Sequence, residues 1–181
     1  MTSAYLRGQE LVDAIQSSSY SRDLIGYHGQ VPHAQWPNQA KIAVQFVLNY
    51  EEGGENHVEH GDLGSEQFLS EIVGAASFNA KHMSMDSMYE YGSRAGFWRI
   101  HQEFQKRCLP MTIFGVGMAL ARNPYVVEAI QQAHYDVVSH GQRWLHYQHI
   151  DIDTERQHMD QAISVLEALF GKTPIGWYTG R

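Results

Sequence analysis

The stretch that most constrains the fold is Lys41–Gly54, KIAVQFVLNYEEGG. Residues 42–48 are apolar except for Gln45, and such a run predicts a strand buried on both faces, as in the parallel sheet of an α/β domain. The strand then delivers Glu51 and Glu52 at its C-terminal end, followed by two glycines. Because α/β folds place chemistry at the carboxyl ends of strands, these carboxylates are candidate site residues, with a solvated acidic turn as the alternative.

The bulk properties of the chain exclude several classes of protein. The formal net charge of -7 argues against nucleic acid or an anionic membrane surface as a partner. Cys108 is the one cysteine, so disulfides are excluded, a cytoplasmic location is expected, and the thiol is predicted to be structural and buried. The sequence contains neither an apolar run long enough to span a membrane nor a secretory signal at its start.

The order of the predicted elements is β-α-β-α-β-α-β, which indicates a parallel α/β fold. Strands are predicted at 41–48, 111–118, 135–139 and 175–178, and helices within 1–19 and at about 93–107, 123–132 and 153–170. Ser93 and Asn123 are predicted to cap the starts of two of these helices, and Gly171 is predicted to end the last. The long connection 52–92 is predicted to hold a short helix at 64–75 and an ordered, pocket-lining turn at 84–94. A doubly wound sheet and a β/α barrel both satisfy this order, and a barrel would need about 250 residues.

Polar residues follow three of the predicted strands. Glu51 and Glu52 follow the first strand, His140 follows the third, and residues 178–181 follow the fourth. Since the carboxyl ends of parallel strands share one edge of the sheet, these groups are expected to converge. A carboxylate beside a histidine can activate water, and two carboxylates with a histidine can hold a metal ion.

Two further clusters are weaker candidates. His57 and His60, with Glu59 and Asp62, have the composition of a metal site, but they lie in a glycine-rich loop without a helix to fix their geometry. Arg94 stands in the first turn of a predicted helix, where a cation opposes the helix dipole, so either an ion pair or substrate anchoring is expected.

Five segments of the chain resemble the polysaccharide deacetylase (NodB-homology) superfamily, and within it the allantoinase branch. They are RDLIGYHGQ (22–30), FVLNYEEGGE (46–55), MSMDSMYEYGSRAGFWRI (83–100), SHGQRW (139–144) and GWYTGR (176–181). The resemblance implies the N-terminal part of a distorted, TIM-like β/α barrel that is truncated inside its third motif. It also implies an N-terminal extension over 1–39 and a catalytic domain over 40–181.

The differences from the deacetylase pattern bear on the mechanism. Where deacetylases have Asp-Asp, the first as base and the second as metal ligand, this chain has Glu51 and Glu52. The motif that supplies two metal-binding histidines keeps His140 but has Trp144 at the second position. An indole cannot coordinate a metal, so the resemblance implies a metal-independent hydrolase with no cofactor. If zinc binds instead, Glu52 and His140 would be its ligands.

The sequence and the resemblance together predict a hydrolase that converts allantoin to allantoate, a step of purine catabolism. Glu51 is the predicted general base, with Glu52 and His140 as partners in orienting water or sharing a proton. The predicted substrate-binding residues are Asn49, Arg94, Arg143, Trp144, Tyr178 and Arg181. The arginines would polarise the carbonyl or anchor substrate, and the aromatic rings would pack against the flat ring of a small ureide.

Two alternatives remain open from the sequence. One is a metal-dependent deacetylase of an N-acetylated sugar or a related amide, which needs a replacement ligand for Trp144. The other is a non-catalytic, truncated chain that associates through exposed strand edges. The resemblance also implies a homo-oligomer, with a tetramer as the expected state.

Overall fold

The structure is a computed structural model that describes residues 5–68 and 74–180. The chain divides into two compact units, residues 1–43 and 44–181. Within the described ranges, no helix combines the length and the apolar character needed to cross a membrane.

The first unit contains helix α1, Gly8–Ser17, and a 3₁₀ turn at Pro37–Gln39. Leu11, Val12 and Ile15 recur at helical spacing along α1. The amphipathic helix predicted within residues 1–19 is therefore confirmed.

The second unit contains a parallel three-stranded sheet and five α-helices within the described residues. In chain order they are β1 (Val47–Tyr50), α2 (Met83–Tyr91), α3 (Phe97–Arg107), β2 (Thr112–Gly115), α4 (Gly117–Ala121), α5 (Pro124–Gln132), β3 (Asp136–Ser139) and α6 (Ile152–Phe170). The strand order is β1-β2-β3, with both pairs parallel, as predicted. Of the predicted fourth strand, Trp177 forms an isolated parallel bridge to Ser139.

The prediction that the first strand is buried on both faces is wrong. β1 spans Val47–Tyr50, so only the last two residues of the apolar run lie in the strand, and Val47 is 41% exposed. Earlier in the run, Ile42 and Val44 are more than 70% exposed. The reason is the position of β1 at the edge of the sheet, where it pairs with β2 on one side.

The core lies between the sheet and the helices that follow β2. Ile113 of β2, Leu120 of α4, Ile130 of α5 and Leu166 of α6 have at most 1% of their surface exposed. Burying an aliphatic side chain of this size contributes about 1.5–3 kcal/mol. This packing gives the loops at the carboxyl ends of the strands a rigid base.

The structure confirms the predicted caps at Asn123 and Gly171 and moves the start of the last helix. The Asn123 side chain accepts a hydrogen bond from the backbone N–H of Val126 (3.3 Å), and Pro124 occupies the first helical position of α5. Helix α6 starts at Ile152, slightly before the predicted start, because the Asp151 carboxylate caps it. It ends at the left-handed Gly171, as predicted.

The segment 84–94 is helical, so the predicted turn is wrong. Helix α2 continues through a π turn, Gly92–Gly96, directly into α3. Ser93 therefore lies inside the π turn instead of capping a helix. At the other end of α3, Cys108 adopts a left-handed conformation and is exposed, which corrects the predicted buried thiol.

The predicted short helix at 64–75 is absent from the residues of this segment that the structure describes; residues 69–73 lie outside them. Ser65 and Glu66 are buried and fix the loop by backbone hydrogen bonds to Phe78 (2.8 Å) and Asn56 (2.9 Å). These two bonds tie the loop to neighbouring segments of the chain.

Candidate active site

The register of the sheet brings the residues after β1 and β3 to one edge. Tyr50 pairs with Gly115, and Gly115 pairs with Ser139, so Glu51 and His140 leave the sheet at the same level. A hydrogen bond from the backbone N–H of His140 to the backbone carbonyl of Gly115 (3.0 Å) continues the sheet ladder by one residue. Glu51 and His140 therefore converge as the sequence predicted.

The Glu51 and His140 side chains are in direct contact. Oε1 of Glu51 lies 2.8 Å from Nε2 of His140, and the imidazole is 2% exposed. The Asn49 amide also donates to the same carboxylate oxygen, at 3.0 Å. The Tyr178 ring stacks on the imidazole of His140 with 5.5 Å between ring centroids and covers one face of it.

The other nitrogen of His140 fixes the position of a proton. Nδ1 lies 2.7 Å from the backbone carbonyl of Tyr178, which can only accept a hydrogen bond, so Nδ1 carries hydrogen. In a neutral ring, Nε2 would then present a lone pair to the Glu51 oxygen. The 2.8 Å contact consequently requires a proton between them, either on an imidazolium or on the carboxyl.

Glu52 is the next residue after Glu51, and its side chain lies in a different environment from that of Glu51. Burial raises the pKa of its carboxyl, and the negative charges of Glu51 and Glu55 raise it further. Its Oε2 accepts a long hydrogen bond of 3.4 Å from the backbone N–H of Glu51. The surroundings of Glu52 therefore favour the protonated form of its carboxyl.

A cavity of about 280 Å³ lies in front of these carboxyls. Its lining residues are Asn49, Glu51, Glu52, Glu55, Met88, Tyr89, Tyr91, Gly92 and Trp144. Trp144 is 4% exposed and packs against Phe68, so it forms a fixed wall. Glu52, Glu55 and Tyr89 also line a neighbouring cavity of about 350 Å³.

Four residues of this lining come from the helical segment at Met88–Gly92, and sequence reasoning named none of them individually. It did predict that residues 84–94 line a pocket, which is confirmed, although the segment is a helix. Tyr89 and Gly92 are three residues apart, which places both on one face of a helix. Recognising a helical period in residues 84–94 would have identified Tyr89 and Gly92 as candidate lining residues.

Arg143 is engaged with the loop that follows Glu52. Its guanidinium makes a two-pronged ion pair with Asp62, with distances of 3.0 and 2.5 Å, and donates to the Glu55 carbonyl at 3.0 Å. Burial would raise the pKa of Asp62, but the Arg143 hydrogen bonds outweigh it and hold the pKa below its ordinary value. Arg143 therefore anchors this loop.

Arg94 is not part of the cavity lining and pairs with Glu90 at 2.8 Å, with 76% of its side chain exposed. Of its two predicted roles, the structure shows the ion pair. Arg181 lies outside the described residues.

Two arginines contact His60, which belongs to the loop whose composition suggested a metal site. His60 has Arg122 at Nε2 (3.0 Å) and Arg143 at Nδ1 (3.2 Å), and burial lowers its pKa. His57 instead lies 3.4 Å from Asp86. Within residues 5–68 and 74–180, no group of three or more His, Cys, Asp or Glu side chains is arranged to hold a metal ion.

Replacing Arg143 with methionine is expected to lower the free energy of unfolding by about 2 kcal/mol, because it leaves the partly buried Asp62 carboxylate without its partner. The folded-state pKa of Asp62 is depressed, so this contribution is present above the ordinary value of 3.8 and disappears as the pH falls through the folded value. Urea denaturation at pH 7 and at pH 3 measures both effects. Arg94→Met is the matched control, with an expected loss below about 0.5 kcal/mol. Equal losses in the two variants would contradict the anchoring role.

Comparisons with known proteins place these residues in a family. The sequence profile described as polysaccharide deacetylase matches residues 79–179, more than half of the chain. A Schizosaccharomyces pombe protein named "Putative polysaccharide deacetylase" is 41% identical over 166 residues, which cover 89% of this chain and 52% of that protein.

Two crystal structures agree with this match. PuuE allantoinase is 52% identical with a TM-score of 0.83, over 89% of this chain and 54% of that one. A "probable Polysaccharide deacetylase" from Pseudomonas aeruginosa PAO1 is 53% identical with a TM-score of 0.83, over 88% of this chain and 53% of that one.

The chain belongs to the polysaccharide deacetylase family. It spans about half the length of the relatives it matches. The mixed α/β fold with a parallel sheet agrees with the fold predicted from the sequence. Deacetylases and allantoinases of this family are hydrolases that act on carbon–nitrogen bonds.

The residues at the family's metal-ligand positions do not fit a three-ligand metal site in this chain. The resemblance to the deacetylase pattern assigns those positions to Glu52, His140 and Trp144, and an indole has no lone pair for a metal ion. Both nitrogens of His140 are already used, one by the Tyr178 carbonyl and the other by Glu51. A metal ion at Nε2 of His140 would take the place of the Glu51 carboxylate oxygen.

Proposed function

We propose that this protein hydrolyses a cyclic amide, converting allantoin to allantoate, without a metal or another cofactor. The contact between Glu51 and His140 carries the proposal, because it provides a proton-accepting carboxylate at the cavity. The 52% identity to PuuE allantoinase supports allantoin as the substrate. The cavity of about 280 Å³ is of a size that suits a small ureide.

Glu51 activates the attacking water in this proposal. Its Oε1 is occupied by the bonds to His140 and Asn49, so Oε2 is the oxygen that we assign to the water proton. In this proposal the proton between the two side chains resides on His140, so Glu51 enters the reaction as a carboxylate. Positioned bases of this kind contribute about 10²- to 10⁴-fold to rate.

Glu52 supplies the proton for the leaving nitrogen. An amide nitrogen leaves as a neutral amine only if it is protonated as the C–N bond breaks. The raised pKa of Glu52 keeps a proton on its carboxyl at a pH where an ordinary glutamate has lost it. Two neighbouring carboxyls in unequal environments can thus act as base and acid.

Proton NMR of the purified full-length protein with allantoin, and separately with N-acetylglucosamine oligomers, tests the proposal. We expect the allantoin signals to be replaced by those of allantoate, and no acetate to be released from the sugars. Acetate release without allantoin turnover would favour the deacetylase alternative and contradict the proposal.

A further inference from the structure

The π turn at Gly92–Gly96 interrupts what would otherwise be one continuous helix from α2 to α3. Such turns are rare and frequently occur at functional sites. Here the turn begins at Gly92, which lines the cavity of the candidate active site together with Glu52.

The backbone at Gly92 does not need glycine. Its φ of -56° and ψ of -54° are ordinary right-handed helical values that any L-residue adopts. Glycine inside a helix is destabilising relative to alanine by about 0.5–1 kcal/mol. A side chain at residue 92 should therefore stabilise this helix unless something else occupies the space.

The Glu52 carboxyl occupies that space. A Cβ atom built on Gly92 would lie 2.1 Å from Oε1 and 2.8 Å from Cδ of Glu52, far inside contact distance. The carboxyl is the end of a side chain with rotatable bonds, whereas residue 92 belongs to a helix packed through Phe97, which is 3% exposed. An added methyl group would consequently move the carboxyl and leave the helix in place.

We propose that Gly92 is a positioning residue for Glu52: the absence of a side chain at residue 92 lets the Glu52 carboxyl lie against the helix at the cavity wall. The inference rests on the proposed function only in assigning Glu52 a part in the reaction. The close approach of the Glu52 carboxyl to Gly92 is a feature of the fold and does not depend on that function.

Gly92→Ala tests the inference, with Gly96→Ala as the matched control. Both glycines have helical dihedral angles in the same π turn, but a Cβ at Gly96 would meet its nearest atom, the Tyr91 carbonyl oxygen, at an ordinary 3.6 Å. We expect Gly92→Ala to lower kcat for allantoin about 10²-fold, since a misplacement of about 1 Å can cost that much. Gly96→Ala should retain wild-type kcat, and both variants should keep the wild-type melting temperature or exceed it.

Shortening the displaced side chain provides a rescue. Glu52→Asp withdraws the carboxyl by one C–C bond, about 1.5 Å, which relieves the overlap with an alanine at residue 92. We expect this substitution to lower kcat in the wild-type background but to raise it in the Gly92→Ala background. Additive losses in the double variant would overturn the inference.

A readout without substrate separates this inference from the proposed function. Titration of the Glu52 carboxyl by ¹³C NMR, assigned with Glu52→Gln, should give a lower pKa in Gly92→Ala than in the wild type and no change in Gly96→Ala. If the wild-type protein fails to hydrolyse allantoin, the proposed function fails while this titration still decides the role of Gly92. An unchanged titration in Gly92→Ala, or the same shift in both variants, would overturn it.

Discussion

The Glu51→Gln variant is expected to lose about 10³-fold or more of kcat for allantoin, with little change in KM. The glutamine amide matches glutamate in size, and its oxygen can accept the hydrogen bonds from protonated His140 and from Asn49, so the contact at 2.8 Å can persist. It cannot accept a proton from water. The variant therefore removes the base and keeps the geometry.

Steady-state kinetics of Glu51→Gln, with circular dichroism and a melting curve to establish folding, measure this loss. Glu103→Gln is the control, because Glu103 lies on α3 and pairs with Lys106 at the surface, remote from the cavity lining. It should retain wild-type kcat. A Glu51→Gln variant within about tenfold of the wild type would contradict the assignment of Glu51 as the base.

The Glu52→Gln variant is expected to lose about 10²- to 10³-fold of kcat and, more specifically, the alkaline limb of the pH profile. In the proposed mechanism, the wild-type reaction requires Glu52 to be protonated. The folded-state pKa of Glu52 lies above its ordinary value of 4.5, so the active form predominates below that raised pKa and is lost as the pH rises through it. A glutamine does not titrate, so the limb should disappear.

Measuring kcat/KM between pH 4 and pH 9 for the wild type and Glu52→Gln checks this expectation. The residual activity of the variant should be flat where the wild-type activity declines. A decline at the same pH in both proteins would assign the alkaline limb to another group and contradict the role of Glu52 as the acid.

The convergence of Glu51 and His140 was predictable because it depends only on strand order. Two parallel strands that end at paired residues, here Tyr50 and Ser139 through Gly115, must deliver their next residues to one edge of the sheet. Local patterns also predicted the helix caps at Asn123 and Gly171, since capping depends on residues adjacent in sequence.

Features that depend on distant contacts were not predictable in this way. The space beside Gly92 matters because Glu52, forty residues earlier, fills it, and the local sequence gives no sign of this. The partner of Arg143 lies in a loop without periodicity, so its commitment to Asp62 required the folded structure. The exposure of β1 follows from its position at the sheet edge, which an apolar run alone does not reveal.

The most direct test of the central claim is allantoin hydrolysis by full-length protein that has been treated exhaustively with a chelator and assayed for residual metal. From the metal-free mechanism we expect kcat to survive chelation unchanged, not to increase with added zinc, and to be lost in Glu51→Gln. Activity that disappears with chelation and returns with zinc would contradict the metal-free mechanism and favour the metal-dependent deacetylase chemistry of the family.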